Sequence, residues 1–277
     1  PLSAKRMHKI VEQNAYGKAG DLILEAYLDN SATTRVSQPV AQVMMDMLTQ
    51  EYGNPSSLHR KGFLAEQALR KAREQVAAVW SATPEEVVFT SCGSEANNLA
   101  LLGTCRARRR QGSKVVTTAI EHESVLAPAR ELAKEGFQVS YVSPGPDGKV
   151  DPRRVAELVD EETLLVSVMA VNSETGAVND LAQISRLVKE RNPRTLVHSD
   201  CVQAFCKLPL LPKRWGVDLA TASAHKIHGP KGVGALYAAK GVRIAPLYFG
   251  SGQEKGLHPG TENTPAICGF GEAARRM

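Results

Sequence analysis

The sequence has 277 residues, 43% of them hydrophobic and 23% charged, with 34 Lys and Arg against 29 Asp and Glu for a net charge of +5. That length buries a real core, no apolar run approaches the ~18 residues needed to cross a bilayer, and no repeat or low-complexity tract indicates a solenoid or linker. The densest basic cluster, Arg106, Arg108, Arg109 and Arg110, ends a predicted helix, where cations complement the helix dipole; no aromatic platform accompanies it, so nucleic acid is not an expected partner.

Residues 1–26 carry Lys5, Arg6 and Lys9 but lack the apolar core and cleavage site of a signal peptide, and read as a loosely ordered leader. The missing initiator Met reads as a fragment or a processed product. Two helices are expected next, Pro39 to Gln50 and Phe63 to Trp80, separated by the turn-rich Gly53-Asn54-Pro55-Ser56-Ser57. They form an N-terminal helical arm to one large domain over residues 27–277. From Val87 onward, short β-branched runs alternate with amphipathic segments. Strands are expected at Val87-Val88-Phe89, Lys114 to Thr118, Gln138 to Val142, Thr163 to Met169, Thr195 to His198, Asp218 to Thr221 and Val233 to Tyr237. Helices fall between them at Glu95 to Arg110, Ser124 to Glu135, from Asp151-Pro152 onward, and at Leu181 to Arg191; Asp followed by Pro is a cap-and-first-turn signature. Such alternation specifies an α/β fold with a mostly parallel sheet covered by helices on both faces.

In such a sheet, ligands gather beyond the carboxyl ends of the strands. Four chemically loaded stretches lie there. Thr90-Ser91-Cys92-Gly93-Ser94-Glu95 opens a helix with small residues, which suits a phosphate, although the same pattern serves as a plain N-cap. Glu121-His122-Glu123-Ser124 brings an imidazole that can stack on a planar ring or shuttle a proton, or simply cap a helix. Asp200, with Gln203 three residues on, is a carboxylate that can cap the next helix or keep a heterocyclic nitrogen protonated. Ser223-Ala224-His225-Lys226 sets a lysine at a strand exit, where a nucleophilic amine is plausible chemistry. Lys231 competes with it but stands among glycines that mark a chain turn. The five cysteines, Cys92, Cys105, Cys201, Cys206 and Cys268, show neither a disulfide framework nor metal-ligand spacing, so no metal is expected.

Together with Tyr27-Leu28-Asp29-Asn30-Ser31-Ala32-Thr33-Thr34, Asn172-Ser173-Glu174-Thr175-Gly176 and Pro259-Gly260-Thr261-Glu262-Asn263, these pieces resemble the cysteine desulfurase and selenocysteine lyase family of class-V aminotransferase-like enzymes. The resemblance implies the large domain of fold type I and pyridoxal 5′-phosphate as cofactor. It implies Lys226 as the Schiff-base lysine, Asp200 on the pyridine nitrogen and His122 stacked over the ring. Gln203 would meet the phenolic oxygen, while Gly93, Ser94, Ser223 and His225 would hold the phosphate. Ser173 stands where an asparagine usually touches the ring, and Thr261 would reach the phosphate of a second subunit, so a homodimer is implied. Cys92 replaces a glycine, Ala224 a glycine and His258 an arginine. The implied reaction converts L-cysteine to L-alanine and an enzyme persulfide, with a sulfur acceptor or iron–sulfur scaffold protein as partner, in the cytoplasm and away from membranes. Selenocysteine lyase and a catalytically silent cofactor-binding subunit are the alternatives. The family's nucleophilic cysteine lies in a C-terminal small domain of roughly a hundred residues that this sequence lacks, so none of the five cysteines is assigned that role.

Overall fold

A computed structural model describes residues 26–277. All of the expected leader except Ala26 lies outside the described residues. The compact unit that carries the sheet is Ser31–Met277.

Two helices open it, α1 (Gln38–Thr49) and α2 (Arg60–Val79). The α/β part then runs β1 (Val87–Thr90), α3 (Gly93–Asn98), a π-helical turn (Leu99–Gly103), α4 (Thr104–Arg108), β2 (Lys114–Thr118), α5 (Glu123–Lys134) and β3 (Gln138–Val142). It continues through α6 (Pro152–Glu157), β4 (Thr163–Ser167), α7 (Leu181–Arg191), β5 (Leu196–Asp200), α8 (Pro212–Trp215), β6 (Leu219–Ser223), β7 (Gly234–Ala238) and α9 (Thr264–Arg276). All seven strands match the β-branched runs of the sequence to within two residues at each end, β4 stopping at Ser167 rather than Met169.

The seven strands form one sheet in the order β1-β7-β6-β5-β4-β2-β3. All neighbours from β3 to β6 pair in parallel, while β7 runs antiparallel to both β6 and β1. Because β7 is reversed twice over, β1 points the same way as the parallel block. The carboxyl ends of β1, β2, β4, β5 and β6 therefore open on one side of the sheet.

Both faces are covered. On one, Val87, Phe89, Val116, Val166, Val197, Ala220 and Tyr237 join a core with Trp80, Phe205 and Phe270 from the helical side. Trp80 meets Phe205 edge-on at 4.9 Å between centroids, and Phe205 meets Phe270 at 5.7 Å. On the other, the alternate residues Val88, Val115, Leu165, Leu196, Leu219 and Leu236 pack against Leu99, Leu101, Val125 and Leu132. This two-faced burial is why the central strands lack a polar period. Only the edge strand β3 keeps exposed positions.

The single helix expected over Glu95 to Arg110 is instead broken by the π-helical turn. At its end, Gly103 lies so close to the 244–245 backbone that a Cβ would stand 2.6 Å from the Ala245 carbonyl oxygen. A re-phased turn brings that hydrogen-only position against the chain, a recurrent use of π-bulges. Asp151 caps α6 as its sequence indicates, its carboxylate accepting from the Arg153 N–H, but that helix is only 6 residues long.

Candidate active site

Five segments converge at the open ends of the strands. At β5, Asp200 is the last strand residue rather than the first beyond it, and it is buried. Its Oδ1 accepts the Val202 N–H at 2.9 Å and its Oδ2 accepts from Asn97 Nδ2 at 2.8 Å. Burial pushes its pKa up; these two donors, with the charges of His122 and Lys226, hold it down. A buried carboxylate so placed favours a cationic or N–H-bearing group against it.

At β6, Ser223 is buried at the strand end, and a 3-10 turn over Ala224–Lys226 follows. The Lys226 amine donates to the Ala32 carbonyl at 3.0 Å and also to the Ser31 carbonyl. Gln203 Nε2 donates to the same Ser31 oxygen at 2.9 Å. His225 Nδ1 lies 3.1 Å from Thr33 Oγ1, and burial, followed by the charges of Lys226, Lys231 and Lys207, lowers its pKa. The extended Ser31 to Thr34 segment is thereby tied to the Lys226 turn, and Thr34 Oγ1 donates to the His225 carbonyl at 2.8 Å. Lys231, by contrast, is exposed in the turn that leads to β7.

At β1, Gly93 is buried where α3 begins. A Cβ there would stand 3.0 Å from Val202 Cγ2 and 3.3 Å from Ser223 Cβ. The small residue thus lets the start of α3 approach both the Asp200 loop and the β6 end. Ser94 is exposed on the first turn of α3.

At β2, His122 precedes α5 and caps it: Nδ1 accepts the Ser124 N–H at 3.1 Å and lies 2.8 Å from Ser124 Oγ. An acceptor Nδ1 places the proton of the neutral ring on Nε2. The capping role and a role at the ring are therefore compatible, because Nε2 is left to face outward chemistry. Beyond β4, Asn172 organises the turn that holds Ser173. Its Oδ1 accepts from the Glu174 and Thr175 N–H groups at 3.0 and 2.9 Å, and its Nδ2 donates to the Ile120 carbonyl at 3.0 Å. Ser173 Oγ itself contacts Glu174 Oε1 at 3.4 Å. Thr261 is exposed in the loop ahead of α9.

Two buried residues of this site escape sequence reasoning. Asn97, wholly buried in α3, is bonded to Asp200, to Ser124 and to Thr221 Oγ1, the last at 2.7 Å. Glu121 accepts from Thr118 Oγ1 at 2.9 Å and from the Met169 N–H at 2.8 Å, both at Oε1, while Oε2 is buried without a hydrogen bond. Burial pushes its pKa up to about 8, against hydrogen bonds from the Met169 N–H and Thr118 that lower it. The cysteines are mostly inert. Burial pushes the thiols of Cys105, Cys201 and Cys206 up to about 12 and that of Cys268 to about 11. Cys92, half-buried at the N-cap of α3, has Ser91 Oγ 3.8 Å from its sulfur. Among the described residues no His, Cys, Asp and Glu cluster has metal-site geometry.

With this geometry, the sequence matches the aminotransferase class-V family over residues 26–277. The chain belongs to the class-V aminotransferase family. It is 44% identical over 248 residues to a cysteine desulfurase of Nostoc sp., a match covering 90% of this chain and 61% of that protein. It is 45% identical over 257 residues to cysteine desulfurase IscS of Azotobacter vinelandii, covering 91% and 63%. Among solved structures, a NifS-like protein superposes with a TM-score of 0.89 at 43% identity, covering 91% of this chain and 69% of that one. SspA in complex with cysteine gives 0.86 at 36% identity, covering 90% and 72%. The class-V chain thus spans about three fifths of the length of these curated relatives. Its sheet is that of the fold-type I large domain.

Class-V enzymes of this kind are pyridoxal-phosphate dependent. The residues present fit that cofactor. A buried carboxylate awaits a proton-bearing nitrogen at Asp200, a lysine amine ends the turn after β6, and the space beside Gly93 and Ser223 is one that a single Cβ would fill.

Proposed function

We propose that this chain is the cofactor-binding part of a cytoplasmic pyridoxal-phosphate cysteine desulfurase that takes L-cysteine to L-alanine and passes its sulfur, as an enzyme persulfide, to an acceptor protein in iron–sulfur or thiocofactor assembly. The observation that carries the reading is the meeting of Asp200, Lys226 and His122 at one end of the sheet, with Asp200 buried and coupled to the charges of both others. The similarity to cysteine desulfurases supports the choice of reaction.

When bound, pyridoxal phosphate supplies the electron sink for bond breaking at the substrate Cα. Lys226 would carry the cofactor and supply the base for the Cα proton. Asp200 would keep the ring nitrogen protonated. Gln203 would meet the phenolic oxygen, and Gly93, Ser94, Ser223 and His225 would hold the phosphate. His122 would lie against the ring beside Ser173, with Nε2–H available to the substrate. Thr261 would complete the phosphate site of a second subunit in a homodimer.

The test is direct. Protein loaded with pyridoxal phosphate is expected to be yellow, and borohydride should fix the cofactor on the peptide containing Lys226; labelling of Lys231 would overturn the assignment. L-Cysteine should perturb the absorbance, and an amino acid without a β-sulfur should leave no alanine product. A second reading, a cofactor-binding subunit that does not itself complete sulfur transfer, is favoured by the raised thiols of four cysteines, three of them buried and Cys206 half-buried. It predicts a spectral change with L-cysteine but no multiple-turnover alanine formation. Turnover would instead point to Cys92.

A further inference from the structure

Asn97 has 0% of its surface exposed, and its amide is the junction of four elements. An ionised carboxylate only accepts, so the amide nitrogen must face Asp200 Oδ2, 2.8 Å away. The second N–H then reaches Ser124 Oγ, also at 2.8 Å, and the amide oxygen accepts the Thr221 hydroxyl at 2.7 Å. Both donors are used and the orientation has no alternative. Because Ser124 Oγ receives the Asn97 N–H, its own proton is directed to His122 Nδ1, 2.8 Å away. That nitrogen already accepts the Ser124 backbone N–H. The amide therefore links the carboxylate at the end of β5 to the imidazole ahead of α5 through one hydroxyl.

We propose that Asn97 is a positioning residue: it holds the Asp200 carboxylate and, by directing the Ser124 hydroxyl, adds a second donor at His122 Nδ1 beside the Ser124 backbone N–H, so that the two groups meet the cofactor ring as one preorganised unit. This rests on the site reading given above. An amide suits the task because it does not titrate, so the arrangement survives changes of pH that a carboxylate or imidazole at the junction would not. Buried networks of this kind act as units when every member is satisfied, and a supporting layer of this sort orients the groups that touch the ligand.

The test uses cofactor-free, isotope-labelled protein together with pyridoxal-phosphate titration. In the parent, nitrogen shifts of His122 should show protonated Nε2 and unprotonated Nδ1. Asn97→Asp keeps the volume but replaces the donor with an acceptor. Ser124 must then donate to it, His122 loses its hydroxyl partner, and Asp200 shares a proton with the new acid. The expected results are shifted His122 ring-nitrogen signals, with the Nε2–H form still held by the Ser124 backbone N–H, and about tenfold or greater weakening of pyridoxal-phosphate uptake. Ser124→Ala, at the half-buried end of the chain, should shift the His122 signals with a smaller change in uptake. Unchanged His122 signals in both variants, or in Ser124→Ala alone if Asn97→Asp does not fold, would overturn the proposal. Failure of the parent to take up pyridoxal phosphate would sink the cofactor reading while leaving the His122 signals to decide this one.

Discussion

Two groups of carboxylates flank the start of α3, and they are stabilised by opposite means. At the strand ends, Asp200 and Glu121 are buried among neutral donors, an amide, a hydroxyl and backbone N–H groups, and burial raises both pKa values. On the side of β1 and the 248–262 loop, the carboxylates meet cations. Glu254 is gripped by both terminal nitrogens of Arg73 and by the Phe89 N–H at 2.9 Å. Glu95 takes two donors from Ser91 and lies 2.7 Å from His258 Nδ1, with Tyr248 on the same oxygen. Its burial is outweighed by His258, Ser91 and Tyr248, which bring its pKa to about 2. Among the described residues no hydrogen-bonded cation meets either carboxylate of the first group, and only the charges of His122 and Lys226 act on Asp200 from farther off. The second is complete in itself and holds a loop in place.

The largest effect should come from breaking the completed side. Arg73→Met leaves Glu254 buried and unpaired, and a loss of about 3 kcal/mol in urea unfolding is expected; a loss below about 1 kcal/mol would mean that Glu254 reaches water. The incomplete side should respond in binding more than in folding. Asp200→Asn would remove the charge proposed to face a ring nitrogen, so pyridoxal-phosphate affinity should drop on the order of tenfold to hundredfold, with a cost of about 1–3 kcal/mol in cofactor-free stability because its NH2 would face the Asn97 amide or the Val202 N–H. Equal affinity in the variant would break the contrast.

A third measurement separates the two sides by pH. The folded pKa of Glu121, about 8, is raised above its unfolded value of 4.5, so what it contributes is fully present below pH 4.5 and is lost as pH rises toward 8. Glu121→Gln is neutral throughout. Its stability should therefore gain on that of the parent by on the order of 2 kcal/mol between pH 5 and pH 9, and parallel pH profiles would show that Glu121 is ionised.

The smallest effect belongs to His258. Glu95 and Tyr248 touch it, Glu254 and Glu262 act from the same loop, and its pKa is raised mainly by the hydrogen bond to Glu95. Its stabilising share is thus complete below about pH 6.5 and fades as pH rises through the raised value. Glu95 contributes only above its unfolded value, losing its share as pH falls from 4.5 toward 2. His258→Arg should remove the alkaline fading, a gain of about 0.5–1 kcal/mol at pH 9, seen as a higher melting temperature there but not at pH 6.

Much of this was legible in the sequence. The strands announce themselves as β-branched runs, and the chemistry sits at their ends because a parallel sheet leaves nowhere else for it. Asp200, His122 and Lys226 carry a local signal: an ionisable residue where the apolar run stops. Asn97 carries none, since an Asn-Asn pair inside a helix is unremarkable until the fold brings β5 and α5 against it. Glu121 was hidden for a related reason, as a glutamate beside a histidine reads as solvated, and only the packing of β2 against β4 shows it to be dry. The reversal of β7 was also invisible, because a buried strand looks the same in either direction.

That reversal has a consequence for how the chain is made. Among the described residues β1 is the first strand made, yet its one partner is β7, the last of the seven: Val87 faces Tyr237 and Thr90 faces Gly234. Until then, the segment that leads into the Gly93 turn has no neighbour to pair with, and the closure that joins them spans nearly the whole domain. Among the described strands, the pairing that brings Gly93 up to the ends of β5 and β6 therefore closes only after Asp200 and Lys226 have been made.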